Sequence, residues 1–242
     1  MTQSCKNCSC PTDNKFCPQC GQKTSTSKFT MGTLFHDFIH GFWHVDHGLL
    51  FTAKELILRP GSMLKNYING QRVKYLNPFT YILLLGGFNA VFLKEFHWQS
   101  LFVDLGIFSN KTVDQEVWSS SIKHFSFRLL ASIPAYALVS SIFYYRKPYN
   151  FSEHLIGNTY LRGQASLFML ILAPLAILFA SSSFYVAEIK LVGYGAVLLY
   201  VGWAYAGWFD GKPTPLGVFK GFICALVSSL LELSLLSLLI KK

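Results

Sequence analysis

Charge is scarce in this chain. Asp, Glu, Lys and Arg together make up 14% of its 242 residues, against 52% hydrophobic residues and a mean hydropathy of +0.36. So apolar a composition excludes an ordinary soluble globule and defines an integral membrane protein. Acidic residues are the scarcer kind, 12 against 21 basic, and none lies between Glu55 and Glu95. The first thirty residues lack the basic stub and apolar core of a cleavable signal peptide, so the N-terminus is expected to stay cytosolic with the first span acting as the membrane signal. Internal repeats, low-complexity tracts, a soluble catalytic domain and an H-E-x-x-H motif are all missing from the sequence. The net charge of +9 comes with no specific nucleic-acid signal. Its basic residues crowd beside apolar segments, as cytoplasmic flanks do, which points to a bilayer with anionic lipids as the electrostatic partner.

What is present begins with cysteine. Five of the six cysteines fall in "CKNCSCPTDNKFCPQCGQK", where Cys5 and Cys8 form one C-x-x-C pair and Cys17 and Cys20 another. Two such knuckles supply the four thiolates of a tetrahedral zinc shell, and a module too short to bury a core would draw its folding free energy from the metal. Residues 1–23 therefore read as a structural zinc ribbon, closed to catalysis, whose surface can recruit a cytosolic protein partner. A reducing cytosol argues against disulfides. Cys10 breaks the pattern, either as an alternative to Cys8 or as a spare thiol. Residues 24–32 read as a polar linker.

Thr30 or Thr33 can cap a helix running to about Leu58, where Arg59-Pro60-Gly61 stops it. At 100° per residue, Leu34, Phe35, Phe38, Leu49, Leu56 and Ile57 share one half of its surface, and His36, His40, His44 and His47 form a stripe on the other, with Lys54 joining and Asp37 and Glu55 flanking. Such a helix suits the membrane interface. Asp46 alone breaks the apolar arc. Residues 33–76 are thus expected to be interfacial amphipathic helices with a basic flank, Arg59, Lys65, Arg72 and Lys74, that meets lipid headgroups and holds the next span's N-terminal end on the cytoplasmic side.

Residues 77–242 form the expected transmembrane domain, with spans near 77–95, 127–145, 165–187, 190–208 and 216–240. The third and fourth are joined by a turn near Glu188 and Lys190, either as two crossings or as one re-entrant feature. This topology puts two thirds of the 21 Lys and Arg on the cytoplasmic side. It defines an all-α membrane protein of about five helices in the cytoplasmic (inner) membrane. Trp203, Tyr205 and Trp208 read as an interfacial aromatic belt, the serines of the last span as packing contacts, and Glu232 as a carboxylate that must be partnered, protonated or functional.

The run "HDFIHGFWHVDHG", then "RPGSMLKNYINGQRVKYLNPF" and "RKPYNFSEHL", resembles an uncharacterised bacterial family of small membrane proteins. The resemblance implies an N-terminal zinc ribbon, a His/Asp-rich helix, an R-P-G turn and an E-H-L block between spans, and it implies no activity. An amphipathic lead-in before five spans is also similar, in architecture alone, to the Yip1-type proteins of membrane organisation.

Two constellations carry possible chemistry. His36, His40 and His44 stand at i,i+4 spacing, which permits metal sharing with Asp37 as an added ligand, a proton relay, or simply a solvated helix face. In "YNFSEHLIGNTYLRG", Ser152 can cap a helix that stacks His154 on Asn158, with Glu153 and Arg162 nearby. Glu153 and His154 can then meet Asp46, Arg72 or the histidine stripe and make a polar pocket. The alternative is that Glu153 caps, His154 bonds a backbone carbonyl and Arg162 follows the positive-inside rule. The expected function is a non-enzymatic membrane-organising or adaptor protein. The other reading is a lipid- or headgroup-handling enzyme or transporter using His36, Asp37, His40, His44, Asp46, Glu153 and His154 at the cytoplasmic surface.

Overall fold

The computed structural model describes residues 3–26, 28–34, 48–95, 125–179 and 183–240. They are mostly helical. Strand β1 (Gln3–Ser4) pairs antiparallel with β2 (Pro11–Thr12), and a bridge between Phe16 and Lys23 closes the second half of the N-terminal module. Each half is a short hairpin carrying one cysteine pair.

Helix α1 (Gly48–Leu58) and helix α2 (Pro60–Ile68) break at Arg59, whose φ of −148° is not helical and whose successor Pro60 opens α2. The R-P-G stop therefore lies where the sequence places it, because proline fits a first helical turn and not a helix interior. Thr30 begins the expected capped turn: its hydroxyl oxygen accepts from the Thr33 N–H at 3.3 Å, and its carbonyl accepts from the Leu34 N–H. The faces of α1 differ from expectation. It buries Thr52, Glu55 and Leu56, while Leu50, Phe51, Ile57 and Leu58 are exposed together with Lys54. Thr52 turns inward because its hydroxyl accepts the Leu76 N–H at 2.9 Å, and Glu55 because it pairs with Arg59 at 2.6 Å.

Helix α2 belongs to the core rather than to the surface, burying Met63, Leu64, Tyr67 and Ile68. Five longer helices follow: α3 (Pro78–Glu95), α4 (Phe125–Phe143), α5 (Phe151–Phe179), α6 (Ser183–Tyr205) and α7 (Pro215–Ile240). Asn77 caps α3 through its Oδ1, which takes the Phe79 N–H at 2.9 Å, so "YLNPF" is a helix start written in cap-plus-proline form. Helix α5 is central, packing on α3, α4 and α6. A π-helical turn, Ala206–Asp210, ends α6 at Gly211 with φ +83°.

Two features of the expected spans are corrected. Glu188 and Lys190 lie inside α6, so the connection between the third and fourth long helices falls between Phe179 and Ser183. The supposed aromatic belt is a core: Tyr205 and Trp208 are fully buried, because the π-turn folds Trp208 back over the bare backbone of Gly157.

Small residues set the closest crossings. A Cβ on Gly61 of α2 would lie 2.3 Å from the Gly207 carbonyl carbon, and one on Gly221 of α7 would lie 2.6 Å from the Gly202 oxygen of α6. Such contacts let backbones approach within dispersion range. Leu191–Asp210 and Pro215–Leu235 are long and apolar enough to cross a membrane, with mean hydropathies of 1.2 and 1.8. Pro78–Phe92 and Leu129–Phe143 are shorter apolar stretches.

Candidate metal centre and buried polar network

The Sγ atoms of Cys5, Cys8, Cys17 and Cys20 all lie within 4.8 Å of one another. Cys5 and Cys20 are 3.6 Å apart and Cys8 and Cys17 3.5 Å, both slightly inside the ~3.8 Å tetrahedral edge that a Zn–S bond of ~2.3 Å implies. Four thiols on those edges can hold a metal ion. The two knuckles repeat one geometry. Cys5 N–H bonds the Cys10 carbonyl at 2.9 Å and Ser9 N–H the Cys5 carbonyl at 2.8 Å; Cys17 N–H bonds the Gln22 carbonyl at 2.8 Å and Gly21 N–H the Cys17 carbonyl at 2.9 Å. Ser9 (φ +61°) and Gly21 (φ +71°) hold equivalent left-handed positions. Backbone N–H groups of Cys20 and Gln19 hold the Cys17 thiol below its ordinary range against the cost of burial. The Gln22 backbone and then the Asn7 side chain do the same for Cys20. Both effects favour thiolates, the form that binds metal, at Cys17 and Cys20; at Cys8 the Cys10 backbone N–H is outweighed by burial and the three neighbouring thiols, which push it up to about 12. Cys10 resolves as the spare thiol, its Sγ turned to the Pro11 carbonyl at 3.6 Å.

The module is docked rather than tethered. Gln22 Nε2 donates to the Gly70 carbonyl at 2.7 Å and Gln22 Oε1 accepts from the Arg72 N–H at 3.0 Å. The expected linker is pinned by Phe29, which is 2% exposed, stacks on Tyr67 at 5.8 Å and lies 3.7 Å under the Arg72 guanidinium. Asn150 adds a hydrogen bond to the Phe29 carbonyl at 3.0 Å. A run of serines and threonines concealed one apolar anchor.

His36, Asp37, His40, His44 and Asp46 lie outside the described residues. Glu153 and His154 are placed, on the first turn of α5. Asn150, not Ser152, caps α5: its Oδ1 takes the Glu153 N–H at 2.9 Å while Glu153 Oε2 takes the Asn150 N–H at 2.9 Å, a reciprocal capping box. Glu153 caps, as the plainer expectation had it. His154 pairs with a side chain instead of a carbonyl, its Nδ1 lying 2.9 Å from Ser140 Oγ. Asn158 donates to the same Ser140 oxygen at 3.0 Å and accepts from Tyr205 OH at 2.5 Å. Tyr149, Trp208 and Phe209 wall the imidazole.

Deeper in the bundle, Glu232 has the partner its position demanded. Arg162 Nη2 meets its Oε1 at 2.8 Å, and Tyr136 OH donates to its Oε2 at 3.1 Å. Sequence reasoning named both charges without joining them. His154, Asn158 and Arg162 at i, i+4 and i+8 were the available signal, one stripe of α5.

The basic flank is also placed. Arg59 and Lys74 are exposed, and Lys65 and Arg72 are half-buried. Arg59 stands at the α1–α2 break, Arg72 and Lys74 in the α2–α3 connection, Arg146 in α4–α5 and Lys212 in α6–α7. Several contacts tie these connections together, including the Gly61–Gly207 approach, Lys147 to Asp210 at 2.8 Å and Lys220 over Tyr144 at 4.5 Å.

Fold and site thus define a helical protein with possible membrane helices and a four-cysteine cluster able to bind metal. A family model described as "Protein of unknown function (DUF3667)" matches residues 46–88, so the chain is similar to that uncharacterised family across α1, α2 and most of α3. No curated protein and no solved structure matches the chain.

Proposed function

We propose that the chain is a five-span protein of the cytoplasmic membrane that organises or adapts without catalysis, carrying a zinc ribbon on its cytosolic face. One observation carries the reading: the docked cysteine module, the helix connections and the exposed cations Lys54, Arg59, Lys74, Arg146 and Lys212 share one end of the bundle. Helices α3 to α7 leave and return to that end alternately, as five crossings do. A crowd of cations there follows the positive-inside rule. Outward-facing Phe88, Val91, Leu138, Leu199 and Leu230 supply an apolar girdle, and only 44% and 28% of the two longest apolar stretches is buried, unlike the core helices of a soluble protein. Helix α1 presents Leu50, Phe51, Ile57 and Leu58 beside Lys54, an arrangement that inserts apolar groups between anionic headgroups.

The ribbon recruits a cytosolic protein, and the basic end binds anionic lipid. The test measures binding of the purified full chain to phosphatidylglycerol and phosphatidylcholine in nanodiscs of mixed composition, with Lys54, Lys74 and Lys212 changed to Gln singly and together. Each removed charge is expected to cost about 1 kcal/mol of anionic-lipid preference. Equal affinity for both lipids in the unmodified protein sinks the lipid half of the reading. An alkaline phosphatase fused after Lys242 should be active, since the C-terminus is external; an inactive fusion sinks the topology.

A further inference from the structure

The polar stripe on α5 ends in a cavity. Its volume is about 30 Å³, and Tyr136 of α4, Asn158 and Arg162 of α5, Tyr194 of α6 and Ser229 of α7 line it with apolar neighbours that include Ala165. Such a volume, counted as room for the centres of water-sized spheres, is ample for a water, which needs only about 10–15 Å³ of it. The wall is mostly apolar, with Leu161, Val197, Leu198 and Val201 around those polar groups. Arg162 Nη2 serves Glu232 and Nη1 serves Tyr136 OH at 3.2 Å, whereas Nε is buried with no partner among the described residues. The amide nitrogen of Asn158 is already engaged by Ser140 and by the His154 carbonyl, and its oxygen by Tyr205. The Ser229 hydroxyl bonds the Ala225 carbonyl at 2.9 Å.

A buried cationic N–H without an acceptor is costly, and in a small, mostly apolar cavity one small acceptor relieves it. Charge selects which kind. Glu232 already neutralises Arg162, so an added anion would leave net negative charge in a low-dielectric interior, and a neutral molecule leaves none. We propose that Arg162, Tyr136 and Ser229, with Glu232 behind them on Arg162 and Tyr136, form a binding site for a small neutral hydrogen-bond acceptor, held by water at rest. Arg162 Nε is its anchoring donor and Glu232 the fixed counter-charge.

With the bundle in a bilayer as proposed above, Arg162 lies roughly 16 Å and Glu232 roughly 25 Å along their helices from the basic end. That is the depth at which ionisable side chains mark a path or site for polar species rather than a surface contact. The file His154, Ser140, Asn158 leads to it from the basic end. The geometry of the site itself does not depend on the topology, so each can fail alone.

The experiment uses the full chain labelled with ¹⁵N-arginine in nanodiscs. The Arg162 Nε resonance is assigned by its loss in Arg162→Lys and, in case that variant does not fold, by its shift in the isosteric Glu232→Gln. A cross-peak to water is expected, unchanged when chloride is exchanged for bromide. Ala165→Leu, which fills the cavity, should abolish the cross-peak and lower Tm by stranding Nε. Absence of the cross-peak in the unmodified protein overturns the proposal, as does a higher Tm for Ala165→Leu, the mark of a dry packing void. A saturable bromide-dependent shift also overturns it, by assigning an anion to the site.

Discussion

Gln22 completes the backbone of a loop 48 residues away: its amide gives a hydrogen bond to the Gly70 carbonyl at 2.7 Å and takes one from the Arg72 N–H at 3.0 Å. The side chain thereby behaves like one more strand residue laid against the α2–α3 connection. Because the Gln22 carbonyl also accepts from Cys17, the second knuckle and the helical bundle are joined through a single residue.

Gln22→Ala should undock the module without unfolding it. Two hydrogen bonds worth about 1 kcal/mol each are lost, and the Arg72 amide is left without its acceptor. Hydrogen exchange at Arg72 should accelerate about tenfold or more while exchange in α5 stays unchanged. Unaltered exchange at Arg72 would show that Phe29 alone holds the module.

Metal content of the intact chain should be one ion, lost on Cys17→Ser and kept on Cys10→Ser, because only the former thiol belongs to the cluster. Metal retained after Cys17→Ser and lost on additional His40→Ala would instead make the histidine stripe a metal site. Ser9→Gly should tighten the ribbon by about 1 kcal/mol, since Ser9 holds a left-handed backbone that glycine adopts freely. The measurement is competition with a zinc chelator.

Ser140 and Ser141 are adjacent in sequence and opposite in consequence. Ser140→Ala removes the shared partner of His154 Nδ1 and Asn158 Nδ2 in a fully buried setting, and about 2 kcal/mol of stability should go with it. Ser141 bonds only its own helix, at Leu138, and its alanine variant should stay within about 0.5 kcal/mol of the parent. Thermal melts in one detergent compare the two.

Gly61→Ala should be among the most damaging small substitutions, because the new methyl would sit 2.3 Å from the Gly207 backbone and neither element can yield without separating α2 from the π-turn. A loss of about 3 kcal/mol, or failure to accumulate, is expected. Gly87→Ala is the control: nothing lies within 4 Å of its added carbon, and a helix interior gains up to about 1 kcal/mol from the exchange. Equal melting temperatures for the two variants would contradict the crossing.

Local chemistry was legible where it was local. The R-P-G break and the paired C-x-x-C knuckles each need only neighbouring residues, and each stands where the spacing placed it. The cap of α5 was misread by two residues because Ser152 and Asn150 are both good caps, and only Asn150 lies opposite Glu153 for the reciprocal bond. Tyr205 and Trp208 were misread because aromatics suit a membrane interface and a core equally.

Composition and spacing by themselves determined the helical, apolar class of this protein, its cysteine cluster and the R-P-G break, since these follow from hydropathy, backbone propensity and ligand geometry over a few residues. Only the tertiary structure decided which charges meet. Arg162 and Glu232 are 70 residues apart, His154 and Ser140 are 14, and Gln22 and Gly70 are 48. Spacing along a helix fixes the face on which a side chain stands. The partner of that face depends on how helices cross, and the crossings here are set by where glycines let two backbones touch.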